Sequence, residues 1–144
     1  MELKRIDDNY SVSEQISIDD LDAIKDAGFQ TVICNRPDDE APDQPNHTEV
    51  EKKARSLGLE FKFLPIGKGT IQDTDIEKFR KCYPGLPKPA LAFCRSGTRS
   101  ATVWSLAHAA DLDIDEIMEK TAAAGYDMSA HSERLKNGGL LPTD

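Results

Sequence analysis

The 144-residue chain has the length of one ordinary domain and leaves no room for two, so a single unit spanning 1–144 is expected. With 18 Lys and Arg against 26 Asp and Glu its formal net charge is −8. That balance excludes a general electrostatic attraction to nucleic-acid backbones or anionic lipid, so neither nucleic acid nor membrane is an expected partner.

The longest purely apolar run, Ala90-Leu91-Ala92-Phe93-Cys94, falls far short of the roughly 20 residues of a membrane span. No apolar stretch follows Met1-Glu2-Leu3-Lys4-Arg5 as in a secretory signal, and a cytoplasmic location is expected. Cys34, Cys82 and Cys94 are odd in number, widely spaced and free of any CxxC or Cys/His cluster. They fit neither a disulfide scaffold nor a zinc site. No metal and no cofactor is expected, and His47, His108 and His131 lie too far apart to change that.

Residues 3–15 are expected to add one or two β-strands at a sheet edge. Ser17-Ile18-Asp19-Asp20 reads as a capping box opening a short amphipathic helix with Leu21, Ile24 and Ala27 on one face and Gly28 as its stop. Residues 29–34, Phe-Gln-Thr-Val-Ile-Cys, are β-branched and apolar enough for a buried strand. After the turn-rich stretch 36–45 the pattern recurs. A helix opens at Thr48-Glu49-Val50-Glu51 and closes at Gly58, and a strand follows over 60–65. A third helix starts near Thr70 or Thr74, breaks at Pro84-Gly85-Leu86-Pro87 and feeds the strand 90–93. Two more helices follow, one through Thr102, Val103, Leu106 and Ala107, the other around Ile114, Ile117 and Met118, ending near Gly125. Alternating strands and helices predict an α/β fold with a central, mostly parallel sheet of four to five strands flanked by helices. Such sheets bind ligands beyond the carboxyl ends of their strands, which directs attention to residues 34–37, 65–70 and 94–100.

The third of these stretches is Cys94-Arg95-Ser96-Gly97-Thr98-Arg99-Ser100, placed where a buried strand ends and a helix begins. In such a loop successive backbone N–H groups turn inward around an anion, and the helix N-terminus directs about half a positive charge at it. Gly97 lets the backbone curl, while Arg95, Ser96, Gly97, Thr98 and Ser100 supply the cradle. Arg99 offers a planar fork for two oxygens, and Ser100 can cap the helix or donate to the Cys94 sulfur. The same field favours thiolate at Cys94, making it a nucleophile facing its substrate.

The loop resembles two enzyme groups. Protein tyrosine and dual-specificity phosphatases carry His-Cys, five residues, then Arg and Ser or Thr. Here Phe93 stands for the His and four residues separate Cys94 from Arg99. Single-domain rhodaneses carry a shorter Cys-Arg-x-Gly-x-Arg or Thr loop, which residues 94–99 match at each defined position. The wider layout is similar to dual-specificity phosphatases, through Asp20-Leu21, Ile24, Gly28-Phe29, residues 31–37 (Thr-Val-Ile-Cys-Asn-Arg-Pro) and residues 63–66 (Phe-Leu-Pro-Ile). With Asn35 to Glu40, Gln44-Pro45, Cys94 to Ser100 and Gly125-Tyr126-Asp127, the chain resembles a bacterial family. This is the beta-lactamase hydrolase-like, phosphatase-like domain family, whose members are also described as candidate sulfur transferases. The resemblance covers nearly the whole chain and implies a protein tyrosine phosphatase-like fold.

Phosphatases of this fold protonate the leaving oxygen with an Asp shortly after the strand that ends here at Pro65. This chain has Ile66-Gly67-Lys68-Gly69, and no carboxylate before Asp73; Asp73 is the candidate general acid, with Asp38 or Asp39 as the other carboxylates that would have to reach the site. Sulfite leaving from thiosulfate needs no proton. The leading expectation is therefore a sulfurtransferase: Cys94 takes sulfane sulfur from a small anionic donor, holds it as a persulfide and passes it to a thiol or cyanide. Arg99, Arg36 and Lys68 would hold the anionic oxygens. The alternatives are a cysteine-dependent phosphatase acting through a Cys94 thiophosphate, and a non-catalytic oxyanion-binding or redox-sensing module. Cys34, at a neighbouring strand end, is the one further thiol worth testing as a partner of Cys94. The run Asp38 to Glu40 reads as a solvated loop that Arg36 could orient, and Tyr126-Asp127 reads first as fixing the C-terminal helix and second as a wall of the pocket.

Overall fold

The computed structural model describes residues 2–142. Five strands form one sheet: β1 (Lys4–Arg5), β2 (Tyr10–Ser13), β3 (Thr31–Cys34), β4 (Glu60–Phe63) and β5 (Ala90–Phe93), in the order β1-β2-β5-β3-β4. Strands β2, β5, β3 and β4 run parallel, and β1 pairs antiparallel with β2. The N-terminal segment therefore does more than edge the sheet, because β2 sits inside it against β5. The carbonyl of Asn9 accepts the Ala90 amide at 2.8 Å, extending this pairing.

Strand side chains alternate between two faces, as the pleat requires. Tyr10, Val12, Ile33, Ala90 and Ala92 pack on one face with α3 (Asp73–Cys82), α4 (Thr98–His108), α5 (Ile114–Ala123) and α6 (Ser132–Lys136). Val32, Leu91, Phe93 and Phe61 pack on the other with α1 (Asp20–Asp26) and α2 (His47–Ser56). This is the α/β architecture with a mostly parallel, helix-flanked sheet that the alternation of elements predicts.

Two helix starts differ from the sequence reading for local reasons. Asn46, not Thr48, caps α2, its side-chain oxygen accepting from the Thr48 amide at 2.9 Å. Helix α3 begins at Asp73 because Gln72 and Asp75 form its capping box. At the first helix Ser17 and Asp20 exchange reciprocal bonds, the Asp20 amide to the Ser17 hydroxyl (3.2 Å) and the Ser17 amide to the Asp20 carboxylate (2.8 Å).

Helix α4 fixes the site. Eight of its eleven residues are buried, so it runs through the interior, held there by side chains from neighbouring elements. Tyr10, fully buried among Phe79, Tyr83 and Trp104, donates its hydroxyl to the Ser100 carbonyl at 2.8 Å. At the other end Arg80 donates to the carbonyls of Leu106 and Ala107 at 3.2 and 2.9 Å.

Candidate functional site: the Cys94 loop

Strand β5 lies in the centre of the sheet, with parallel partners on both sides, and Cys94 is the first residue beyond it. The backbone then turns through Arg95 and Ser96 to Gly97, whose φ of 91° is the N-cap of α4. A side chain at 97 is excluded twice over. The left-handed backbone disfavours one, and a Cβ would overlap the Tyr126 hydroxyl and come within 3.3 Å of the Ser13 carbonyl oxygen. The turn aims the Gly97 amide at the Cys94 sulfur, 3.1 Å away. Ser96 Oγ donates to Thr98 Oγ1 and accepts from the Thr98 amide at 3.4 Å, which braces the loop from outside. Arg95 is exposed, and its carbonyl accepts the Gln15 amide at 3.2 Å.

Tyr126 reaches this loop from the segment after α5. Its hydroxyl donates to the Ser96 carbonyl at 3.2 Å. Burial, and then the nearby Cys94 sulfur, push its pKa up to about 12, so it remains a donor at neutral pH. It is thus part of the loop's wall, the second of the two roles its sequence position suggests.

Arg99 is held by a residue that the sequence reading left in a solvated loop. Its Nη1 donates to Glu40 Oε2 and its Nη2 to Glu40 Oε1, both at 2.8 Å, and Nη1 also donates to the Ile66 carbonyl at 2.8 Å. A guanidinium has five N–H donors. Three are used here, and the two that remain, on Nε and Nη2, share one edge and form a second fork. Glu40 first, and the Cys94 sulfur after it, hold Arg99 in its charged form. The Glu40 side chain is 11% exposed. Hydrogen bonds from Arg99 above all, and from Arg36, hold its carboxyl down at about 2.

The loop that delivers Glu40 is constructed for it. Gln44 accepts the Glu40 amide at 3.1 Å and donates to the Pro37 carbonyl at 2.8 Å. Asp38 accepts the His47 amide at 2.8 Å, and Asp39 adopts a left-handed φ of 64°, a strained conformation for a residue other than glycine. Arg36, expected to hold substrate oxygens, is instead committed within the protein. Its Nε donates to Glu40 Oε1 at 2.9 Å and its Nη1 to Gln15 Oε1 at 3.0 Å. Arg36 positions the carboxylate that positions Arg99.

Four further candidates stand as follows. Ser100 does not reach the sulfur with its donor: its hydroxyl donates to Asn35 Oδ1 at 2.7 Å, while Asn35 Nδ2 donates to the Leu64 carbonyl at 3.0 Å. The buried Asn35 thereby ties the ends of β3 and β4 to the first turn of α4. Asp73, the candidate acid, accepts from Arg134 Nη2 at 3.3 Å and from the Leu141 amide at 2.9 Å, the opposite of what donation to a leaving oxygen requires. Lys68 stands exposed between Gly67 and Gly69. Cys34 lies on the α1/α2 face of the sheet. Burial pushes its thiol up to about 12, and it donates to the Arg36 carbonyl at 3.3 Å. It is a protonated thiol and a poor attacking group at neutral pH.

Among the described residues no group of three or more His, Cys, Asp and Glu side chains is placed to hold a metal ion. No helix among them is long and apolar enough to cross a membrane.

A cysteine just past the central parallel strand, a loop closing onto the next helix and an arginine in that helix's first turn define the protein tyrosine phosphatase-like class. Solved members agree in fold. A protein designated Tk-PTP, in its active form, aligns over 94% of this chain and 93% of its own at 22% identity, with a TM-score of 0.66. The chain belongs to the family described as beta-lactamase hydrolase-like protein, phosphatase-like domain, whose model matches residues 2–111. A candidate phosphatase from Neisseria meningitidis is 34% identical, covering 96% of this chain and 99% of its own, with a TM-score of 0.84. The beta-lactamase hydrolase-like protein of Agrobacterium fabrum is 30% identical over 138 residues, 94% of this chain and 32% of its own length. That of Xylella fastidiosa strain Temecula1 is 28% identical over 142 residues, 97% of this chain and 33% of its own. The chain therefore spans about a third of the length of the curated relatives it matches.

Proposed function

We propose that this chain is a cysteine-dependent phosphatase acting on phosphoesters with good leaving groups. The observation that carries the reading is the free edge of Arg99. With Glu40 and Ile66 occupying three N–H groups, Nε and the remaining Nη2 hydrogen form a preset fork for two phosphoryl oxygens. The Gly97 amide and the α4 N-terminus stand beside the sulfur. The Cys94 thiolate attacks phosphorus, an S–P bond forms as the P–O bond to the leaving group breaks, and the leaving oxygen takes its proton from water. Water then attacks phosphorus, releasing phosphate and restoring the thiolate. The segment 66–69 carries no carboxylate and Asp73 is engaged elsewhere, so a leaving group that departs as a stable phenolate suits the site.

The second reading is sulfur transfer, the leading expectation from sequence. It is favoured by the four-residue spacing between Cys94 and Arg99 and by the same lack of an acid. The family and the fold of its solved neighbours support the phosphatase better. One experiment separates them: intact mass of wild type and Cys94→Ser after exposure to 4-nitrophenyl phosphate or to thiosulfate, with phosphate release followed in parallel. Phosphate release that Cys94→Ser abolishes, with a phosphoryl adduct on Cys94, is the expected result. A one-sulfur adduct with no phosphate release would replace the phosphatase by the sulfurtransferase.

A further inference from the structure

Beside Arg99 lies a cavity of about 440 Å³. That volume is in the range of small-ligand sites. Thr98 and Arg99, the last residues of the Cys94 loop before Ser100, are part of its wall. Leu106, Ile71 and Leu141 give it an apolar lining, and His131 and Arg134 form the wall contributed by the C-terminal segment.

Arg134 is the unusual member. Its side chain is only 9% exposed, yet two of its five N–H groups account for its hydrogen bonds, Nε to the Gly139 carbonyl at 2.8 Å and Nη2 to Asp73 at 3.3 Å. The second is long for a charged pair. Nη1 has no partner among the described residues. Nor is it a fully enclosed orphan, since the one such side-chain atom there is Trp104 Nε1. The nitrogen is therefore not sealed off, and Arg134 is a wall of this cavity. Burial pulls the Arg134 guanidinium down from its ordinary value, against the pull of Asp73. Its charge is thus short of solvent, with Asp73 and Asp75 answering it only from one side, and an incoming anion can add to that partial pairing. Burial, with Arg134 adding to it, likewise lowers His131, which stands beside it as a neutral donor at pH 7. Glu133 shares the wall, so the cavity carries both signs, and with Arg99 bound to Glu40 its selectivity for a second anion rests on Arg134.

We propose that this cavity is the leaving-group subsite and that Arg134 selects small phosphoesters bearing a second anionic group, a carboxylate or another phosphate, on the part that departs. The assignment rests on the phosphatase reading for its orientation: the phosphoryl group at Arg99 and Cys94, the leaving group across the apolar middle, the second anion at Arg134. Binding, however, is measured without turnover.

The test is calorimetric titration of Cys94→Ser with phenyl phosphate and with 4-carboxyphenyl phosphate, a pair differing by one carboxylate. The carboxylated ligand is expected to bind about tenfold more tightly, the yield of one charged hydrogen-bonded pair in a partly dry site. Adding Arg134→Gln should bring the ratio to about one. Adding Glu133→Gln, an exposed rim change that the fold tolerates, should raise it about threefold. Equal binding of the two ligands, or a ratio unmoved by these variants, overturns the assignment. If Arg134→Gln does not fold, Glu133→Gln decides alone. Phosphate release by wild type is scored separately. A preference for the carboxylated ligand without turnover would keep the subsite and discard the phosphatase, and turnover without preference would do the reverse.

Discussion

Replacing Glu40 by Gln removes the charge on which two arginines converge, and the structure sets the size of the effect. The carboxylate is 11% exposed and accepts two bonds from Arg99 at 2.8 Å and one from Arg36 at 2.9 Å. In Gln one oxygen becomes an amide nitrogen, so a donor faces a donor and two guanidinium groups lose their shared counter-charge. Breaking a buried ion pair from one side costs about 3–5 kcal/mol, and a loss of about 3 kcal/mol is expected in urea denaturation at pH 7. The exposed pair Glu51–Arg55, with side chains 36% and 49% exposed, provides the internal control, and Glu51→Gln should cost under about 1 kcal/mol. The acid limb gives an independent check. Glu40 titrates near 2 in the folded chain against 4.5 for an ordinary Glu. Its folded value is depressed, so its contribution is present above 4.5 and is lost as pH falls towards 2. The stability gap between wild type and Glu40→Gln should close over that window. With Arg99 no longer held, kcat/KM for an aryl phosphate should fall about 10²-fold, the scale of losing one oxyanion donor. A Glu40→Gln protein as stable as the Glu51→Gln control, with kcat/KM within twofold of wild type, would refute the reasoning.

Gly97→Ala should cost about 1–2 kcal/mol for the left-handed backbone alone, plus the overlap with the Tyr126 hydroxyl. Tyr126→Phe in the same chain should recover part of that loss in a double-mutant cycle, and strict additivity of the two changes would contradict the packing described. Ser100→Ala leaves the buried Asn35 Oδ1 without its donor and should destabilise by about 1–3 kcal/mol. Because that hydroxyl does not serve the sulfur, the rate of Cys94 alkylation by iodoacetamide should be unchanged, and a slowed reaction would assign the hydroxyl to the sulfur after all. With no acid on 66–69, phosphatase rates should fall steeply from 4-nitrophenyl to phenyl to alkyl phosphates. A flat series would show that a proton donor reaches the leaving oxygen.

What the sequence discloses about this molecule follows the range of the interactions that make it. The Cys94 loop is legible because everything that shapes it is local: the apolar strand before it, the glycine three residues on, the arginine five on. The strand and helix alternation is legible for the same reason, since β-branched runs and 3.6-residue periodicity are short-range signals. The charge network is not. Glu40 and Arg99 are 59 residues apart, and Asn35 and Ser100 are 65 apart. Neither pair announces itself by spacing, because the contact exists only after β3 and β5 have been laid side by side. Arg36 shows the cost of reading such positions singly. A cation beyond a strand end looks like a ligand for substrate, and only the folded loop reveals that a carboxylate four residues later has already taken it. Glu40 carried one usable signal, its place four residues after an arginine in a loop beyond a strand that neighbours the cysteine strand. A surplus of eight acidic charges made it look like one more solvated carboxylate. Arg134 had no signal of that kind, since its significance lies in what it lacks. Only the folded chain shows a guanidinium drawn out of water with donors to spare beside an open cavity, and that shortage of partners makes it a place for a ligand's anion.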